Sequence, residues 1–197
     1  VVLLGDIFFA ITHGITAFVE DAARQSGVLS AGERYRDFSS AVGNTLALLG
    51  NGLEDQYAAA TEEGPAKVVI MTGGGADVLI GSCDVIAADC PLLVDASNAA
   101  SALFARMAAD GVEHIVYVFY PNPSDPTLRE EVDALRPLLR TACEGSPTPC
   151  HWVDLRPAFD GKEATYLNSE GTTPTTAGAQ ASAAAIWSVM QQQCIAQ

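Results

Sequence analysis

Positive charge is what this sequence has least of: 10 Lys and Arg stand against 24 Asp and Glu, a formal net charge of -14. Nothing basic is left over to neutralise a phosphate backbone, which excludes nucleic acid as a partner and argues equally against an anionic membrane surface. Acidity of this kind favours solubility and names no ligand. Long apolar runs are also missing. None reaches the roughly 18 residues that a bilayer crossing requires, so membrane insertion is not expected. There is no Cys-x-x-Cys pair, and only three histidines occur, so no zinc ligand set is recognisable. No signal sequence precedes Val1–Leu4, which reads as a strand; any export signal or lipid anchor is expected upstream of it.

What remains is a chain rich in apolar residues. Its 197 residues are 49% apolar and 17% charged, with a mean hydropathy of +0.20. Disorder is excluded, and one domain over 1–197 is expected, burying about 70% of its unfolded surface. Four of the five cysteines fall into close pairs, Cys83/Cys90 and Cys143/Cys150, each in a stretch of turn-forming neighbours. Two local bridges are the simplest pairing. By chain entropy each would contribute about 2.5 kcal/mol, and both imply an oxidising compartment and hence export. Reduced thiols are the alternative. Cys194 is left over.

Apolar runs alternate with helical patterns. Strands are expected at Val1–Leu4, Tyr35–Phe38, Val68–Met71, Ile115–Tyr120 and Trp152–Leu155. Helices are expected from about Ile15 to Gly27, Leu93 to Ala109, Thr127 to Ala142, and Pro174 to Gln192, the last with proline in its first turn. Short strands separated by helices imply a parallel sheet of about five strands covered on both faces, an α/β fold. Ligands of such sheets bind at the C-terminal strand ends.

Four motifs sit at those ends or at helix starts: Gly5-Asp6-Ile7, Gly43-Asn44-Thr45, Gly73-Gly74-Gly75-Ala76-Asp77 and Glu170-Gly171-Thr172-Thr173-Pro174. In order and spacing they resemble the SGNH (GDSL-like) hydrolase family across essentially the whole chain. That resemblance implies a flavodoxin-like three-layer α/β/α sandwich, and a family composed mostly of esterases, lipases and carbohydrate deacetylases. Carried over residue by residue, it also implies losses. Ile7 stands at the nucleophilic Ser, Ala76 at the oxyanion Asn, Thr173 at the His base and Glu170 at the Asp that orients it. Gly5, Asp6, Gly43, Gly74, Asp77, Pro174 and Gly178 fit the pattern.

Acyl transfer by this route needs an oxygen nucleophile within hydrogen-bond reach of a base near neutral pKa. Isoleucine has no lone pair to offer, and a threonine hydroxyl does not exchange a proton near pH 7. Losing nucleophile or base alone costs a serine hydrolase on the order of 10⁶ in turnover. No other residue supplies the deficit. His13 falls about one and a half turns beyond Ile7, on the next helix, His114 begins a strand, and His151 follows a cysteine. Ser39, Ser40 and Ser82 have no recognisable base partner.

Two readings stay open for the surviving carboxylates. Asp6, Asp77 and Glu170 would hold a hard cation if they converge, whereas Asp6 and Asp77 alone would bind backbone amides that shape their turns. The second is the simpler, so neither metal nor cofactor is expected. Candidate ligand contacts are Asp6, Ile7, Gly43, Gly74, Asp77, Tyr120, Asn122 and Thr173. The resemblance therefore implies an exported hydrolase-like protein that binds an acyl, acetyl or glycan group, or a protein partner, without cleaving it. The alternatives are a weak or unorthodox esterase and an engineered inactive variant of one.

Overall fold

The computed structural model describes residues 1–11, 13–42, 44–50 and 52–195. In chain order the elements are β1 (Val2–Leu4), α1 (Ile7–Ala10), α2 (Gly14–Gln25), β2 (Arg36–Asp37), α3 (Gly52–Glu62), β3 (Val68–Met71), α4 (Gly75–Ile80), α5 (Pro91–Ala109), β4 (His114–Phe119), α6 (Pro126–Glu144), β5 (Cys150–Asp154), α7 (Arg156–Phe159), α8 (Glu163–Tyr166) and α9 (Thr176–Gln192). The strands form one parallel sheet in the order β2-β1-β3-β4-β5.

The chain first moves outward from β1 to β2, then returns past β1 to build β3, β4 and β5 on the other side. Right-handed crossovers place the connecting helices of these two directions on opposite faces. Accordingly α2 packs with α9, and α5 packs with α6, giving the three-layer α/β/α sandwich. Strands β1 and β3 are buried along their whole length, as a sheet covered on both faces requires. The accessible surface of 8652 Å² is close to the roughly 8,900 Å² that scaling gives for this mass.

Both expected disulfides are present. Cys83–Cys90 closes the loop between α4 and α5, and Cys143–Cys150 ties the end of α6 to the start of β5. Cys194 is free and exposed. Among the described residues no helix is long and apolar enough to cross a membrane.

Several boundaries differ from the sequence expectation. Strand β2 is reduced to Arg36–Asp37. Pro174 does not enter the last helix: it bridges to Leu167, and α9 starts at Thr176 behind an N-cap in which the Thr175 hydroxyl accepts from Gly178 N. Gly178 is required there, because a Cβ would lie 2.0 Å from the Tyr166 carbonyl oxygen. Helix α3 has no counterpart in the sequence reading. Its buried side is Leu53, Gln56, Tyr57 and Ala60, and the glutamine interrupts the apolar stripe by which a helix is recognised.

Candidate functional site

The sheet changes direction between β1 and β3, and the cleft opens at that switch point, as expected for open α/β sheets. A cleft of about 50 Å³ lies between Asp6, Ile7 and Phe8 at the start of α1, Gly75, Ala76 and Leu79 of α4, Tyr120, Pro121 and Pro123 after β4, Leu128 and Val132 of α6, and Leu167, Gly171 and Thr172 before α9. Most of these side chains are apolar, so the cleft suits a hydrocarbon group better than a polar one.

Its polar centre is a closed set of contacts. Asp6 caps α1 by accepting from Phe8 N at 3.0 Å, and its other oxygen accepts from Ala76 N at 3.3 Å and from the Tyr120 hydroxyl at 2.5 Å. That hydroxyl accepts in turn from Gly75 N at 3.1 Å. The Tyr120 ring stands edge-on to Phe8 at 5.5 Å. It also covers Gly75, where a Cβ would approach to 2.6 Å of the ring. Burial pushes the Asp6 carboxyl above its ordinary range, against the hydrogen bonds from Tyr120 and the two amides. Burial and the neighbouring Asp6 hold the Tyr120 hydroxyl well above the usual tyrosine value.

Asp77, fully buried, accepts from Leu46 N, Ala47 N and Leu48 N at 2.7, 2.9 and 3.0 Å and so fixes the loop after β2. Gln56 of α3 clamps Gly5 from both sides, accepting from its N–H at 2.8 Å and donating to its carbonyl at 2.9 Å; it also donates to Asn44 at 2.7 Å. The first and second motifs are thereby joined through a residue that no motif contains. Gly74 has φ +87°, a left-handed turn that lets the chain leave β3 for α4.

Of the ligand contacts expected from sequence, Asp6, Ile7 and Tyr120 line the cleft. Gly74 and Asp77 build its walls from behind. Thr173 is buried, and it is the adjacent Thr172 that reaches the cleft. Asn122 lies between two lining prolines, with a buried side-chain oxygen for which no hydrogen-bond partner is found. Gly43 lies outside the described residues. Glu170 is exposed, so the three carboxylates do not converge. Among the described residues no group of three His, Cys, Asp or Glu could hold a metal.

The histidines are placed differently from one another. His114 and His151 meet on β4 and β5 at 3.1 Å, near the N-terminal ends of their strands and away from the cleft. His13 precedes α2 rather than lying within it, in a left-handed backbone conformation (φ 48°). It touches Asp37 at 3.0 Å and Ser39 at 3.4 Å. Ser39 therefore does have a histidine beside it, a grouping that sequence distance concealed. The geometry is not that of a triad. Both contacts fall on Nδ1, and the serine hydroxyl donates to Asp37 at 2.6 Å, whereas a triad needs the acid and the nucleophile on opposite ring nitrogens.

No family model matches the chain, and no curated relative matches it. Solved structures do. An α/β hydrolase enzyme, LAE5, from the metagenome of Lake Arreo aligns with a TM-score of 0.71 at 18% identity, over 96% of this chain and 94% of its own. A catalytic mutant of an acetylxylan esterase from Geobacillus stearothermophilus aligns with a TM-score of 0.70 at 16% identity, over 96% and 92%. The lipase Lip_vut3 from a goat rumen metagenome gives 0.67 at 15% identity, over 95% of both chains. The chain has an esterase-like hydrolase fold.

Proposed function

We propose that this protein is an exported SGNH-hydrolase-like pseudoenzyme whose cleft binds an acyl group without hydrolysing its ester. One observation carries the reading: among the described residues that line the cleft there is no Ser, Cys, His or Lys, and Ile7 forms part of the wall. The hydroxyl of Tyr120 is held between Asp6 and Gly75 N. The carboxyl of Asp6 is buried at 2% exposure and committed to three donors. Neither is set up as a nucleophile with a partner base. The apolar walls favour an acyl chain over a glycan. The two disulfides support export.

The test is a pair of measurements on the purified, oxidised chain. Octanoate should bind saturably by calorimetry, and Leu128→Asp, at the cleft wall, should abolish that binding. Short-chain p-nitrophenyl esters should turn over more slowly than about 0.01 per second, well below the usual enzymatic range. Faster turnover removed by a cleft substitution would overturn the reading. The second reading, a weak esterase, draws on the neighbouring Ser39, His13 and Asp37. Turnover lost in Ser39→Ala would establish it.

A further inference from the structure

The histidine pair has no part in the cleft. His114 is the first residue of β4 and His151 the second of β5, so both stand at the N-terminal end of the sheet, opposite the end at which the cleft opens. The two strands are neighbours, in a register that pairs Ile115 with Cys150 and Val116 with His151. The nitrogens that face each other are Nδ1 of His114 and Nε2 of His151, 3.1 Å apart, with the rings tilted by 39°. Both residues are half-buried, and β5 is the edge strand. Their backbones are fixed: His114 N donates to Lys67 O at 3.2 Å, Ile115 N donates to Pro149 O at 2.9 Å, and Cys150, next to His151, is tied to α6 by its disulfide with Cys143. The two imidazoles thus project from ladder positions, which hold a ligand pair more closely than loops do.

That separation is one a metal ion asks of two imidazoles. Nitrogens bonded at about 2.0–2.1 Å and lying 3.1 Å apart subtend an angle of about 100° at the metal, between the right angle of a tetragonal site and the tetrahedral value. The torsion that turns an imidazole about its Cβ–Cγ bond is broad, so ring rotation aims both lone pairs at one point while the backbone stays in place. The ring that donates its N–H in the pair shifts that proton to its other nitrogen, and no net proton is released. Charge favours the ion as well. The chain carries a net -14, which raises the local concentration of cations. Lys67 precedes Val68, the register partner of His114, and its Nζ is bound to Glu113 at 2.7 Å.

We propose that His114 and His151 together hold a divalent transition-metal ion, with water in its remaining positions. An enclosed structural zinc site has four protein ligands, and among the described residues no third His, Cys, Asp or Glu joins this pair, so the site is open and its ion exchangeable. Imidazole nitrogens select Cu²⁺ and Zn²⁺ over Mg²⁺ and Ca²⁺, and the general order of affinities puts Cu²⁺ first. Bound there, the ion cross-links β4 to the edge strand β5 and stabilises the folded chain by mass action.

Titration of the oxidised, chelator-washed full chain with CuCl₂ tests this, at about pH 7.5, where imidazoles are ordinarily neutral and free to ligate. One equivalent should bind ahead of any other, with nitrogen hyperfine structure in its electron paramagnetic resonance spectrum, and excess Zn²⁺ should compete for the same equivalent. His114→Gln and His151→Gln should each weaken that equivalent on the order of tenfold or more, whereas His13→Gln should leave it unchanged. Two measurements on the native chain need no substitution. Substoichiometric Cu²⁺ should broaden the ring signals of His114 and His151 in the NMR spectrum before those of His13, and Zn²⁺ should raise the melting temperature. Uptake only in several equivalents that added salt removes would be the acidic surface at work and would overturn the proposal. Affinity unchanged in both glutamine variants, or broadening of His13 first, would overturn it equally.

Discussion

Replacing Tyr120 by Phe removes one oxygen from the centre of the cleft and leaves the ring against Phe8 and Gly75. That oxygen donates to Asp6 at 2.5 Å and accepts from Gly75 N at 3.1 Å. Losing a hydrogen bond to a charged partner costs about 1.5–3 kcal/mol, and an orphaned buried amide adds about 1 kcal/mol. Tyr120→Phe should therefore lose about 2–4 kcal/mol near neutral pH. For a chain of this size that is a fall in melting temperature of roughly 5–15 °C.

The pH dependence is the sharper part. Burial raises the Asp6 carboxyl, so the folded state keeps this proton to higher pH than the unfolded chain does. Such a group opposes folding above its folded value, and the penalty disappears as pH falls toward the unfolded value of about 3.9. The Tyr120 hydrogen bond pulls the Asp6 carboxyl down against that burial, and removing it drives the carboxyl higher still. The stability gap between the native protein and the variant should thus widen with rising pH. In acid, where Asp6 is neutral in both proteins, it should narrow to about 1 kcal/mol, the worth of an ordinary hydrogen bond. Urea unfolding in a series from about pH 4 to 8 measures this directly. A gap that is constant with pH, or largest in acid, would refute the role given to the Asp6–Tyr120 contact.

Three further outcomes are expected. Cys143→Ala with Cys150→Ala should lower stability by about 2–3 kcal/mol on the chain-entropy estimate for so short a loop, and nonreducing peptide mapping of the native chain should find both local bridges with Cys194 alkylatable; four or more free thiols in protein from an oxidising compartment would contradict this. Burial and the neighbouring His114 hold His151 below its ordinary value, so the unfolded chain takes up this proton first and stability should decline as pH falls below about 6.5; His151→Gln should flatten that decline, and parallel pH profiles for variant and native protein would exclude the pair as its source. On the proposed motif assignment, Ile7→Ser, Ala76→Asn and Thr173→His together, with Glu170→Asp added where the three do not suffice, should produce some ester hydrolysis, while single changes do little because nucleophile and base act as a unit; a folded variant whose introduced serine and histidine lie far apart would show that the motif assignment is wrong.

What could be read from the sequence was what depends on neighbours along the chain. Both disulfides are local closures, and the buried strands β1, β3 and β4 are continuous apolar runs bounded by glycine, aspartate or proline. The turn-shaping role of Asp6 was legible because it follows a strand and precedes a helix, where a short carboxylate meets free amides; Asp77 lies inside α4 instead and binds the amides of Leu46, Ala47 and Leu48, which are distant in sequence. What escaped depends on contacts between distant residues. Helix α3 was missed because Gln56 is buried for the sake of Gly5 and Asn44, 51 and 12 residues away. The grouping of Ser39 with His13 spans 26 residues, and the strand and helix that bring them together are not encoded at either site. Tyr120 was legible as a pocket residue, but its partner Asp6 lies 114 residues off.

Several of the motif residues have backbone groups among their partners. Asp6 holds two amides, Asp77 holds three, and Gly74 and Gly178 occupy positions where a side chain would meet strained backbone or a carbonyl oxygen. Each contact stabilises the folded chain whichever side chain stands at position 7. On the proposed reading, Ile7, Thr173 and Ala76 stand where the nucleophile, base and oxyanion donor of an esterase would act on substrate rather than on the scaffold. Ile7 and Ala76 add apolar wall to the cleft, and Tyr120 with Asp6 takes up the amides of Phe8, Gly75 and Ala76. On that reading, loss of the chemistry would leave these scaffold contacts untouched. On the same reading the cleft would still bury an apolar ligand, because its apolar walls are Phe8, Leu79, Leu128, Val132 and Leu167, none of which belongs to the motifs.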